Sequence, residues 1–93
     1  MIYVINIDLN QRGFNYQPLY SEVNALGVWS RYMNTTWLLA TSLPIEEVGR
    51  RLVTHISQAT DRLLVTRLVV PYQGWLPKEA WDWVNTMYPF WGA

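Results

Sequence analysis

The first segment of the chain alternates. From Ile2 to Leu9, Tyr3, Ile5 and Ile7 share one face while Ile2, Val4, Asn6 and Asp8 share the other, the period of a strand rich in β-branched and aromatic residues. Both faces stay apolar until Asn6. That suits a central strand covered by helices on one side and by a partner on the other. A polar loop containing Gly13 follows, from Asn10 to Asn15. The period then lengthens. Leu19, Val23 and Leu26 recur at i, i+4 and i+7, one apolar stripe of a helix. Asn15 is placed to cap this helix, Pro18 suits its first turn, and Gly27 suits a left-handed C-terminal position.

Two strands come next, Val28 to Met33 and Thr35 to Thr41, joined by a tight hairpin at Met33 and Asn34. In the second, Thr36, Leu38 and Ala40 alternate with Trp37, Leu39 and Thr41. Pro44 opens a second helix. Glu46 and Glu47 in its first turn suit the helix dipole, and Ile45, Val48, Leu52 and Ile56 form its stripe. A turn over Gln58 to Asp61 leads to a strand over Arg62 to Val70, which Pro71 ends. Beyond it, Gly74 breaks the chain and Pro77 starts a short helix continued by Lys78 to Thr86. Trp75, Trp81, Trp83, Tyr88, Phe90 and Trp91 crowd into this tail. Such density demands burial, against the sheet or against a second chain.

The order is strand, helix, strand, strand, helix, strand, then an aromatic arm. This is the split βαβ pattern of an α+β, ferredoxin-like βαββαβ sandwich. Right-handed crossovers set both helices on one face of an antiparallel sheet. The other face needs cover from the arm, from a second copy, or from both. Residues 1–71 read as the domain, and residues 72–93 as an arm that packs on it or on a second protomer.

Composition narrows this picture. Ninety-three residues hold one domain. Apolar residues make up 51% of them, which is ample for a core. Six Trp and six Tyr exceed what a core this small absorbs, which predicts a self-associating or partner-binding protein. Seven basic and seven acidic residues cancel, so any nucleic-acid binding needs a local patch. No Cys is present, which excludes disulfides, thiolate metal sites and cysteine nucleophiles. Met1 to Leu9 lacks the basic leader of a signal peptide, and no stretch reaches the roughly 20 apolar residues of a spanning helix. A soluble, cytoplasmic protein without membrane contact is expected.

Candidate chemistry is sparse. Asp8 is a carboxylate at the end of the first strand, before a polar loop. Carboxylates so placed can hold Mg²⁺, and two of them across a dimer axis could clamp one ion for phosphodiester hydrolysis. The competing role is stabilising the turn with Asn10. His55, the only histidine, sits late in the second helix as a surface residue. Arg50 and Arg51 diverge by about 100° around that helix, where i, i+4 pairing with Glu46 and Glu47 is expected. Arg12 and Arg31 could converge near Asp8 as a phosphate site. Trp29 or Trp37 could stack bases, with core or dimer packing as the alternative.

The segments YVINIDLN, VWSRYMNTTWLLAT, DRLLVTRLV and GWLPKEAWDWVN, with a first helix ending in LG, resemble the SinR-like family of small bacterial proteins. That family is in turn similar to the ferredoxin-like endoribonuclease subunit of the CRISPR spacer-integration complex and to VapD-type toxins. The resemblance spans nearly the whole chain. It implies a homodimer in which the strand-one aspartate of each protomer, matched by Asp8, meets its mate at the interface as a catalytic Mg²⁺ ligand. It also implies nucleic-acid contacts from Arg12, Arg31, Asn34 and Thr36. The stretch Asn34-Thr35-Thr36-Trp37 lacks the arginine of the corresponding hairpin, and the neutral charge departs from that subunit's basic character. Two readings follow. One is a homodimeric CRISPR-subunit-like protein, a metal-dependent endonuclease in which Trp75, Trp81, Trp83, Phe90 and Trp91 form the interface. The other is a non-catalytic protein-interaction module in phage defence, counter-defence or a toxin–antitoxin system.

Overall fold

The computed structural model describes residues 1–10 and 13–91, the side chains of 90 and 91 aside. Its elements run β1 (Ile2–Asp8), α1 (Gln17–Leu26), β2 (Val28–Met33), β3 (Thr36–Ala40), α2 (Ile45–Val53), β4 (Arg62–Arg67) and α3 (Lys78–Trp91). The sheet order is β2-β3-β1-β4, and every pairing is antiparallel. This is the ferredoxin-like arrangement that the element order predicts, with a third helix added.

β1 lies at the centre because both its faces are apolar. Tyr3, Ile5 and Ile7 point to the helices and join Leu19, Val23 and Leu26 of α1, Val48 and Leu52 of α2, and Trp37 and Leu39 of β3 in one core. Each large aliphatic side chain removed from water there contributes about 1.5–3 kcal/mol. The opposite face carries Ile2 and Val4, then Asn6 and Asp8. α3 packs across β1 and β2, and on that face Ile2, Leu38 and Ala40 are buried, as are Ala80 and Val84 of α3. The arm thus covers the far face within one chain. The cover is partial: the end carrying Asn6 and Asp8 stays exposed.

The arm's rings also pack on one another. Tyr72 stacks on Trp81 with centroids 6.5 Å apart and tilts against Tyr88 at 5.7 Å. The Tyr88 hydroxyl accepts the Val70 amide at 3.1 Å. α3 is longer than the stretch to Thr86 and carries Pro89 within it.

Several local expectations are corrected. β4 ends at Arg67, not Val70; its last pairing with β1 is Tyr3 with Arg67, and the Leu68 amide makes the final bond, 2.8 Å to the Ile2 carbonyl. Asn15 is not the N-cap of α1. Its Oδ1 accepts the Gln17 amide at 3.0 Å, while Tyr16 occupies the cap position. Gly27 is extended, at φ 164°, rather than left-handed. Its role is close approach, since a Cβ there would run into the Ala40 carbonyl oxygen. The C-terminal end of α1 is satisfied by Thr41, whose hydroxyl donates to the Leu26 carbonyl at 2.8 Å. The hairpin carries an irregularity between Ser30 and Met33. The charges of α2 pair differently as well. Arg50 binds Glu47 one turn earlier, and Arg51 reaches Glu22 on α1 at 2.6 Å.

Candidate functional site

Strand alternation puts Asp8 on the far face, at the end that α3 leaves open. Its carboxylate makes no hydrogen bond or ion pair with any described residue. Arg62 stands directly opposite it across the β1–β4 ladder, so both side chains leave the sheet on the same side about 5 Å apart at Cβ. Asn6, Thr35 and Leu64 complete the walls of a shallow recess. Thr35 arrives there because the hairpin turn folds against β1, its carbonyl accepting the Ile7 amide at 2.9 Å. Leu64 is 60% exposed on the rim.

What holds Asp8 and Arg62 in place is a second aspartate. Asp61 is 2% exposed. It accepts the Asn10 amide at 2.7 Å, the Ser57 amide at 2.9 Å and the Tyr16 hydroxyl at 3.0 Å. Burial raises its carboxyl pKa, but those donors, with Thr60, more than offset that and hold it below the ordinary value. The node ties the loop after β1 to the turn before β4. The sequence shows an Asp closing a turn; it does not show that Tyr16 and Asn10 come to meet it.

The other expected site residues are scattered. Arg31 does not reach Asp8. Its guanidinium lies 4.3 Å from the Trp37 ring centroid, on the helical side of the sheet, and donates to the Asn34 carbonyl. Arg62 is the basic group that the fold brings to Asp8 instead. Arg12 lies outside the described residues. Thr36 is buried, its hydroxyl donating to Asn6 Oδ1 at 2.9 Å, while Asn34 is exposed at the hairpin tip. The stacking reading fails for Trp37, which is 3% exposed and stacks on Tyr20. Trp29 is 41% exposed and donates its indole N–H to Asn24 Oδ1 at 3.0 Å.

His55 meets Glu22 at 3.1 Å, on the carboxylate that also holds Arg51. The hydrogen bond from His55 comes first, and that from Arg51 next, in lowering the Glu22 pKa. Of the expected interface residues, Trp81 and Trp83 are half-buried and Trp75 is 99% exposed. The side chains of Phe90 and Trp91 lie outside the described residues. No described helix is long and apolar enough to cross a membrane.

Among the described residues no cluster of three His, Cys, Asp or Glu could cage a metal. The donor set at the recess therefore fits Mg²⁺ in one way. Mg²⁺ is commonly held by one or two carboxylates together with substrate phosphate oxygens and water. Asp8 supplies such a carboxylate, and Arg62 supplies a planar fork suited to the phosphate. No family model, curated protein or solved structure matches the chain.

Proposed function

We propose that this protein is a homodimeric, Mg²⁺-dependent phosphodiesterase that acts on nucleic acid, with Asp8 as metal ligand and Arg62 as phosphate contact. The observation that carries the reading is the Asp8 carboxylate, unpaired among the described residues, opposite Arg62 in an open recess. An exposed Asp and Arg in register would ordinarily pair. Here the guanidinium donates to the Asp61 carbonyl at 2.8 Å, which leaves the carboxylate available for a cation. When bound, Mg²⁺ would polarise a phosphoryl oxygen and lower the pKa of a coordinated water. The chain's own contribution is to orient: Asp61 fixes both strand ends, and Thr35 and Asn6 wall the recess.

The test is cleavage of single-stranded RNA and DNA with Mg²⁺, against EDTA. The wild type should cut, and Asp8→Asn should lose at least about 100-fold while keeping its fold. Arg62→Gln should raise KM more than it lowers kcat. Equal cutting by Asp8→Asn would remove the reading.

A second reading, a non-catalytic interaction module, is favoured by a different observation: Trp75, Val70 and Val69 stand 99%, 65% and 46% exposed. Absent cleavage with intact self-association would select it.

A further inference from the structure

The far face of the sheet holds a second hollow, a groove of about 300 Å³ between the sheet and the arm. Val4, Leu38 and Leu68 form its floor, Trp81 and Val84 a wall, and Trp75 its rim. None of the described residues lining it is charged. Trp75 does not fill it. The neighbouring residues Gly74 and Leu76 line the groove, yet the Trp75 indole stands out in solvent. One surface therefore carries an apolar hole and, beside it, an apolar knob.

We infer that this surface is the homodimer interface, with Trp75 of each copy seated in the groove of the other. Three observations favour a second copy over other occupants. A nucleic-acid strand would call for cations along the groove, and its described lining residues include none. A foreign apolar segment would fill the hole but leave Trp75 in water. A two-fold axis through the patch pairs knob with hole twice and closes at two subunits, the self-complementarity that an isologous contact requires. A net charge of zero adds no repulsion between copies.

A buried indole removes roughly 200 Å² from water, so two knobs remove about 400 Å² and the two grooves that receive them about as much again, with exposed Val69 and Val70 beside them adding to the contact. The inference rests on the homodimer of the proposed function but not on its chemistry. The groove and the Asp8 recess share no described lining residue, and each Asp8 then works from its own subunit.

Sedimentation velocity on the full chain, from about 1 μM to about 1 mM, tests it. The wild type should sediment as a dimer. Trp75→Ala should raise Kd at least about 100-fold with an unchanged circular dichroism spectrum. Leu68→Trp, which fills the groove, should also dissociate the dimer. Mixing the two variants should restore heterodimer, since one knob then meets one hole. A monomeric wild type, a Trp75→Ala dimer of unchanged affinity, or variants that do not complement would overturn the inference. Asp8→Asn keeps the readings apart: it should dimerise like wild type, so lost cleavage in an intact dimer bears only on the chemistry.

Discussion

The Asn10 amide donates to Asp61 Oδ1 over 2.7 Å, across 51 positions of sequence. This bond ties the exit of β1 to the entry of β4, and Asp8 and Arg62 sit just inside the two ends it joins. A buried carboxylate with several donors around it is costly to remove, because the Asn10 and Ser57 amides lose their acceptor. Asp61→Ala should lower stability by about 2–4 kcal/mol in urea unfolding. It should also reduce any cleavage activity more than the stability loss alone explains.

Asp61 also sets an acid limb. Its folded pKa is held below the ordinary 3.8. The stability it contributes is therefore complete above that value and is lost as pH falls through the folded pKa. Glu22 adds in the same direction, its pKa lowered by His55 and Arg51. Unfolding free energy should fall steadily below about pH 4. Asp61→Asn should flatten that slope. A slope identical to wild type would exclude Asp61 as its source.

Glu22 joins the two helices that cover the core. Glu22→Gln weakens the contact to Arg51 and His55, all partly exposed, so the expected cost is about 0.5–1 kcal/mol. The loss should shrink in 1 M salt. An unchanged midpoint at low salt would show that the cluster is energetically silent.

Gly27 is required by space. Gly27→Ala would press a methyl onto the Ala40 carbonyl, at a place where α1 hands over to β2. The expected loss is about 1–3 kcal/mol. It should be visible as a lower thermal midpoint, whereas Gly49→Ala, with nothing within 4 Å of the added Cβ, should be neutral or stabilising.

Ser30 Oγ is buried and makes no hydrogen bond among the described residues. Ser30→Ala removes an unsatisfied polar group at little cost in volume. It should stabilise by about 1 kcal/mol. A destabilised Ser30→Ala would mean that the hydroxyl has a partner in solution.

Alternation alone placed Tyr3, Ile5 and Ile7 on the core face, and the stripes Leu19-Val23-Leu26 and Val48-Leu52 named the helix faces that meet them. These are local matters, in which side-chain period and burial follow from backbone geometry. Element ends were less legible, because they depend on partners. β4 leaves the ladder after Arg67, opposite Tyr3 of a distant strand, and Gly27 answers to a carbonyl thirteen positions later.

The candidate site divides in the same way. Asp8 was visible as a carboxylate at a strand end. Its companion was not. Arg31 was expected near it as a residue close to the end of a neighbouring element, yet Trp37 holds Arg31 on the helical side. Arg62, more than fifty positions from Asp8, became its neighbour through strand register.

Order and type of elements, and the face each would bury, thus follow from residues a few positions apart, since periodicity is a property of the local backbone. Which half of the far face α3 would cover, which cation would stand beside Asp8, and whether Trp75 would be hidden or left in water depended on contacts between distant segments. Those contacts are set by register and packing, and no window of local sequence contains them.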